Sequence, residues 1–282
     1  MQNKENIYVQ LKRKKRIFIL LMFLLVIYIL YLLLSVSILL TWIFDSNKTQ
    51  NITEEIEDSV VIEEIADSQT TEIVNPPVTE ESDYWYYIKQ NLLEVNFTEL
   101  IQKNPDTVGW VQLPGTNINY PVVQTTDNSF YLSHSYNKES NNAGWVFMDY
   151  RNNKEEFDNN TIIYAHSRND TTMFGSLKNV LTTAWLENKE NHLVYLSTPY
   201  ENTMWQVFSV YTIPSESYYI TPRFETEEEY TTFLITLKNR SIYDFNTELN
   251  INDKVLTLST CQDNYGNRVV LHARLIKRET RV

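Results

Sequence analysis

The sequence is poor in cysteine, glycine and positive charge, and these shortages exclude several classes of protein. One cysteine in 282 residues excludes a disulfide framework within the chain. Lysine and arginine number 24 against 36 aspartates and glutamates, and the formal net charge of -12 argues against a nucleic-acid-binding surface. The five glycines form no glycine-rich phosphate loop. The sequence is instead 43% hydrophobic with 19 tyrosines, which indicates a folded domain rich in β-strands.

An uncharged apolar run covers residues 17–44 and follows the basic cluster KRKKR at 12–16. A helix of about 20 apolar residues spans a bilayer, so this run predicts a single N-terminal transmembrane helix. The basic cluster places the tail, residues 1–16, in the cytoplasm and the rest of the chain outside the cell. The run ends without small residues and is longer than the apolar region of a signal peptide, which favours an uncleaved anchor.

The remainder divides into an acidic segment and a folded domain. Residues 45–82 are polar and predict a solvated stalk, and residues 83–282 form the predicted folded domain. Near-helical spacing predicts one or two helices over 84–102, and Thr226 with three following glutamates predicts a helix over 226–239. Eight short apolar runs predict a mostly β fold, either a barrel or a sandwich, with that helix between the sixth and seventh strands. These runs are 108–113, 118–123, 144–148, 161–165, 193–197, 205–213, 254–260 and 268–277.

The single thiol, Cys261, follows the predicted strand 254–260. By the two-residue period of a strand it shares a face with Thr257 and Ser259, and we expect this more polar face to be open to solvent. An accessible thiol is a candidate nucleophile, although a free cysteine is also often buried. A working cysteine needs a neighbouring base or cation, because a thiol with a pKa of about 8.5 is mostly protonated at neutral pH.

The candidate base is His166, which ends an apolar strand and begins a polar loop. Of the other histidines, His134 and His192 lie in polar loops where we expect exposure, and His272 lies within a strand. Arg268 begins the strand after Cys261, and antiparallel pairing would return its side chain beside the thiol as an oxyanion donor.

Several motifs resemble the sortase family, class B. The motif TLSTC at 257–261 is followed seven residues later by Arg268, and His166 is followed by TMFGSL at 172–177. Further matches lie upstream and extend the resemblance over 84–282: VGWV at 108–111, GTNI at 115–118, YPVVQ at 120–124 and DNSFYL at 127–132.

The resemblance implies an eight-stranded β-barrel and a cysteine transpeptidase that uses no cofactor and no metal. Cys261 would attack the scissile carbonyl, His166 would move protons, and Arg268 would steady the oxyanion. The implied partners are secreted proteins with a C-terminal sorting motif and an amine of the cell-wall peptidoglycan precursor. The implied substrate-binding residues are Asn128, Leu132, Ser215, Tyr219, Ile220, Ser259 and Gln262. Gln262 departs from the acidic residue often found after this cysteine.

Three alternatives remain at this point. A surface cysteine protease would use the same residues and deliver the acyl group to water, and a related enzyme would join pilin subunits. A non-catalytic surface binding module would bury Cys261 as packing.

Overall fold

The computed structural model describes residues 2–79, 82–214, 216–260 and 266–281. The chain divides into two compact units, Met1–Asn47 and Lys48–Val282. Helix α1, Gln2–Ser59, supplies all of the first unit that is described and continues into the second. Residues 17–44 include no buried side chain. The helix is long and apolar enough to cross a membrane, so it is a candidate span, as the sequence predicts.

The second unit is built mainly from strands, and its helices are short except for α5. The strands are β1 Ile62–Ile65, β2 Thr71–Ile73, β3 Leu92–Val95, β4 Thr107–Leu113, β5 Ile118–Val123, β6 Phe147–Met148, β7 Asn160–Ala165, β8 Leu193–Ser197, β9 Glu201–Pro214, β10 Val255–Thr260 and β11 Asn267–Thr280. The helices are α2 Tyr84–Tyr87, α3 Thr98–Lys103, α4 Thr183–Leu186 and α5 Glu227–Asn239. Four 3₁₀ helices cover Phe130–Leu132, Leu177–Leu181, Lys189–Asn191 and Tyr218–Ile220.

Eight of these strands close into a barrel. Their order is β10-β7-β6-β5-β4-β8-β9-β11, and pairing of β11 with β10 closes the ring. The β10–β7 and β5–β6 pairs are parallel and the others are antiparallel. The eight-stranded barrel that the family resemblance implies is confirmed by this closed ring, and every predicted apolar run contains one of these strands or overlaps it.

Both faces of β10 are buried, which corrects the expectation of a wet polar face. Leu256 and Leu258 belong to the main core of the barrel, as period-2 alternation requires. Val255 faces the other way and packs with residues of α5, among them Phe233. Thr257 and Ser259 on that second face are fully buried. A strand with hydrophobic partners on both sides leaves no face for solvent.

Helix α5 provides this second layer, and local signals set its ends. The Thr226 side chain accepts a hydrogen bond from the backbone N–H of Glu229, and three glutamates occupy the first turn. An N-cap of this kind satisfies a backbone donor that has no partner inside the helix. The helix predicted over 226–239 is therefore confirmed.

The segment predicted as a solvated stalk is different in the structure. Within it, Ile56 is 2% exposed and joins the main core. Strand β1 pairs with β3, and β2 pairs with the edge of β11. Backbone pairing and apolar burial therefore tie much of residues 48–79 to the barrel unit. The helices predicted over 84–102 are also only partly correct, because β3 separates α2 from α3.

Candidate active site

A cleft with a volume of about 430 Å³ lies at the edge of the barrel where β7 and β10 end. It brings together five of the predicted site residues: His166, Arg268, Asn128, Leu132 and Ile220. Phe147, Tyr164 and Thr260 are the other described residues that line it.

Parallel strand pairing places His166 at this edge. Strand β7 lies parallel to β10, and Ala165 is opposite Thr260 in their register. Carboxyl ends of parallel neighbours meet at the same edge of a sheet. His166, which follows Ala165, therefore lies next to the point where the chain leaves β10.

The His166 ring is held by the backbone carbonyl of another residue of the cleft lining. Its Nε2–H donates to the carbonyl oxygen of Leu132 at 2.7 Å. This bond fixes the ring so that Nδ1 is left without a hydrogen-bond partner among the described residues, and Nδ1 is then the atom available for proton transfer.

A glycine makes room for this arrangement. Gly144 has φ of +63°, and a Cβ there would lie 2.5 Å from the carbonyl oxygen of Tyr131 and 3.0 Å from Cδ2 of His166. Glycine adopts a positive φ without the steric cost that other residues carry.

Arg268 lies at the start of β11 on the same side as the end of β10. The antiparallel register pairs Ser259 with Val270, so Arg268 is two residues further toward the cleft. Its Nη1 donates to the hydroxyl of Tyr219 at 3.1 Å. Its Nε is buried and has no partner among the described residues. The guanidinium is thus anchored at one end and retains donor capacity.

Two predicted substrate-binding residues lie behind the cleft rather than in its lining. Tyr219 and Ser259 are fully buried, and their hydroxyls are 3.1 Å apart. Tyr219 also accepts from Arg268, so the two residues support the arginine from behind. Of β10, the cleft lining includes Thr260, whereas Ser259 is covered by Tyr219 of the 3₁₀ helix Tyr218–Ile220.

Three predicted residues lie outside the described part of the chain. These are Cys261, Gln262 and Ser215. The described chain stops at Thr260, which lines the cleft, and resumes at Gly266.

The other histidines have surroundings that differ from those of His166. His192 is 4% exposed, which corrects the expectation of an exposed loop histidine, and its burial lowers its pKa. His134 is half-buried and stacks on Phe130 with ring centroids 4.0 Å apart.

His272 is fully buried, and its desolvation lowers its pKa to about 3. Its Nδ1 lies 2.8 Å from Thr257 Oγ1, and its Nε2 lies 2.8 Å from the Tyr211 hydroxyl. Thr257 gives its one proton to Asn160, so Nδ1 carries the proton of the neutral ring. Both nitrogens are engaged, so His272 has a structural role.

Sequence reasoning missed the polar residues around Asp149, a buried carboxylate that follows β6. Asp149 accepts hydrogen bonds from Asn128 and from Tyr164, which both line the cleft. An aspartate directly after an apolar run could have been noticed as a signal, but nothing local identifies its partners. Among the described residues, no cluster of three or more His, Cys, Asp or Glu side chains could hold a metal ion.

His166 and Arg268 line one cleft at the edge of a closed barrel, and an imidazole with a guanidinium in one cleft suits acyl transfer. A family model described as the sortase domain matches residues 111–276. Sortase B of Staphylococcus aureus is 35% identical over 191 residues, which are 67% of this chain and 78% of that protein. The chain belongs to the sortase family of cysteine transpeptidases.

Solved structures place the likeness in class B. Sortase B from Bacillus anthracis in complex with AAEK1 is 33% identical, with a TM-score of 0.66 over 83% of this chain and 99% of that chain. A substrate complex of Staphylococcus aureus sortase B is 35% identical, with a TM-score of 0.60 over 64% of this chain and 84% of that chain. The fold is therefore that of the class B sortases.

Proposed function

We propose that this chain is a membrane-anchored class B transpeptidase of the cell surface. It cleaves a C-terminal sorting signal of secreted proteins and transfers the new acyl end to an amine of the cell-wall peptidoglycan precursor. The observation that carries the proposal is one cleft lined by His166, Arg268 and Thr260, the residue before the only cysteine. Cys261 is bonded directly to Thr260, and we assign its thiol to this cleft.

Cys261 is the proposed nucleophile. Its thiolate attacks the scissile carbonyl carbon, and the carbonyl oxygen gains negative charge that the Arg268 guanidinium stabilises. The C–N bond then breaks, and the leaving amine takes a proton from Nδ1 of the His166 imidazolium. The product is a thioester between the substrate acyl group and Cys261.

The second half reverses these steps with a different amine. The incoming amine attacks the thioester and gives its proton to Nδ1 of His166, and the thiolate of Cys261 leaves. The sum is the exchange of one amide bond for another, without an oxidant or a cofactor. Because Nε2 of His166 is held by Leu132, one nitrogen serves both halves.

The membrane part of the proposal rests on the apolar helix and its basic flank. Residues 17–44 span the bilayer, residues 1–16 remain in the cytoplasm, and the barrel unit lies outside. Protease added to intact cells should remove the barrel and spare the N-terminal tail. Protection of the barrel would contradict this orientation.

The test uses the full chain in detergent, a peptide library, and triglycine as a simple amine probe. With the unchanged chain, mass analysis should find peptides that are cleaved and joined to triglycine. With Cys261→Ala or His166→Ala, it should find none. Arg268→Lys should lose most activity, because a point charge does not replace a planar fork. Cleavage that never yields amine-linked product would favour a protease, and activity in Cys261→Ala would refute the proposal.

A further inference from the structure

Asp149 is a buried carboxylate that the proposed mechanism does not use, and five donors converge on it. Its Oδ1 accepts from the backbone N–H and Nε of Arg151, both at 2.9 Å. Its Oδ2 accepts from Arg151 Nη2 at 2.7 Å, from Asn128 Nδ2 at 3.0 Å and from the Tyr164 hydroxyl at 3.0 Å. Asn128 and Tyr164 line the cleft, whereas Asp149 does not. The carboxylate therefore lies directly behind one wall.

The surroundings of the Asp149 carboxylate favour its ionised form. Burial of Asp149 would raise its pKa, but the hydrogen bonds and positive charge of Arg151, together with the Asn128 amide, outweigh burial and lower it. A carboxylate that accepts several charge-assisted hydrogen bonds holds its donors at short distance.

The orientation of Asn128 follows from these contacts. Its Oδ1 accepts from the backbone N–H of Tyr150 at 3.0 Å, while its Nδ2 donates to Asp149. The amide cannot turn over without losing both bonds. One N–H of Nδ2 is left over, and it is available to a carbonyl oxygen of a bound peptide.

Arg151 extends this support to a second wall. Its Nη2 also donates to the carbonyl oxygen of Ile220 at 2.9 Å. The flanking carbonyls, those of Tyr219 and Thr221, accept from Nδ2 of the buried Asn160 at 3.0 and 3.1 Å. Three consecutive carbonyls are thus held, and Ile220 between them lines the cleft.

We propose that Asp149 is a positioning residue for substrate binding, which holds the Asn128–Tyr164 wall directly and the Ile220 wall through Arg151. This inference rests on the proposed function, because it concerns the peptide side of the same cleft. It does not involve His166 or Arg268, since no hydrogen bond among the described residues joins Asp149 to either.

The test compares Asp149→Asn with the unchanged chain, using the full chain in detergent and the best peptide from the library. KM should rise about tenfold, because charge-assisted hydrogen bonds are lost, while kcat should change less than about twofold. The dissociation constant of the same peptide for the Cys261→Ala chain should rise by the same factor when Asp149→Asn is added. The reaction of Cys261 with iodoacetamide should keep its rate.

Two further variants separate positioning from general damage. Arg151→Lys keeps a positive charge but cannot bridge Asp149 and Ile220 with a planar fork. Its KM should therefore lie between that of the unchanged chain and that of Asp149→Asn. Asp253→Asn is the matched control, because Asp253 is also buried and paired with an arginine, Arg274, but neither lines the cleft. It should alter thermal stability and leave KM unchanged.

The outcomes distinguish this inference from the proposed function. An unchanged KM and dissociation constant in Asp149→Asn and Arg151→Lys would overturn the inference. A fall in kcat alone, or a changed alkylation rate, would overturn it as well, since Asp149 would then act through the reacting groups. Failure of the unchanged chain to convert a peptide that it binds would instead refute the proposed function, and the binding constants would still test the role of Asp149.

Discussion

Two buried aspartates in the barrel unit, each paired with an arginine, have their carboxyl pKa values shifted in opposite directions. At the cleft, Asp149 and Arg151 form a two-point contact, and the pKa of Asp149 is lowered. At the start of β10, Asp253 lies 3.3 Å from Arg274, and burial raises the pKa of Asp253 despite the arginine. Both carboxylates are inaccessible to solvent.

The two carboxylates differ in their hydrogen-bond donors. Asp149 receives five hydrogen bonds, two of them from one guanidinium at 2.9 Å or less. Asp253 receives Arg274 at 3.3 Å, with Asn75 and the backbone N–H of Asn250. Short charged donors favour the ionised form, whereas burial disfavours it. One pair therefore supports a functional surface, and the other joins distant segments of the chain.

The largest expected effect is on stability at the far pair. Arg274→Ala leaves Asp253 buried without its cation and removes the hydrogen bond from Arg274 to the carbonyl of Asn75. The free energy of unfolding should therefore fall by about 4 kcal/mol. Urea unfolding measures this change, and the peptide KM should not move. The double replacement Arg274→Met with Asp253→Leu should recover most of the loss, because apolar residues of similar volume can replace a buried pair. A loss below about 1 kcal/mol in the single variant would contradict this view of the pair.

A smaller loss of unfolding free energy is expected from a substitution without charge beside the cleft, at Gly144. Gly144→Ala forces a Cβ against the Tyr131 carbonyl at positive φ, so we expect a loss of about 2 kcal/mol in unfolding free energy. It also crowds Cδ2 of His166, so kcat should fall. Gly109→Ala is the control, because its Cβ would meet the backbone of Ser197 at 2.9 Å, away from the cleft. An equal loss of kcat in both variants would show that the effect is not local to His166.

The opposite pKa shifts predict opposite changes in the acid dependence of stability. Asp149 has a lowered pKa, so it contributes stability above the pKa of the unfolded chain and loses it as pH falls. Asp253 has a raised pKa, so its contribution is present at low pH and is lost as pH rises. As pH falls below about 4, Asp149→Asn should flatten the loss of stability, and as pH falls toward about 4 from above, Asp253→Asn should steepen it.

His272 adds the same pH dependence of stability to the unchanged chain and to both aspartate variants. Its pKa is lowered to about 3, so the unfolded chain binds the proton first as pH falls below about 6.5. Each unit of pH in that window costs at most about 1.4 kcal/mol, and this cost is the same in all three chains. Differences between the urea unfolding curves therefore isolate the aspartates. Parallel curves for both variants would contradict the assigned shifts.

Local patterns were sufficient to predict much of the barrel and part of the cleft. Short apolar runs between turn residues identified its eight strands, and the Thr226 cap identified α5. His166 and Arg268 could be selected because each lies where a strand meets a loop, and strand ends meet at the edge of a sheet. These signals act over a few residues, so the sequence displays them directly.

Contacts between distant segments were not predictable in the same way. Strand β2 is three residues long, and its partner β11 lies about 200 residues later. The second face of β10 is covered by residues distant in sequence, among them Tyr219 beside Ser259, and nothing within β10 indicates that cover. Likewise, Arg151 supports Ile220, 69 residues later, through a backbone carbonyl whose identity no side chain encodes.

The smallest expected effect is at an exposed ion pair that is shorter than the Arg274 pair. Lys189 Nζ lies 2.6 Å from Asp83 Oδ1, and the two side chains are 60% and 22% exposed. Water and salt screen such a pair, so the coupling in a double-mutant cycle of Lys189→Ala and Asp83→Ala should be about 0.5 kcal/mol or less. A coupling above about 2 kcal/mol would mean that distance alone sets the strength of these pairs. The contrast with the longer Arg274 pair depends on solvent, because removal of Lys189 leaves Asp83 hydrated whereas removal of Arg274 leaves Asp253 buried.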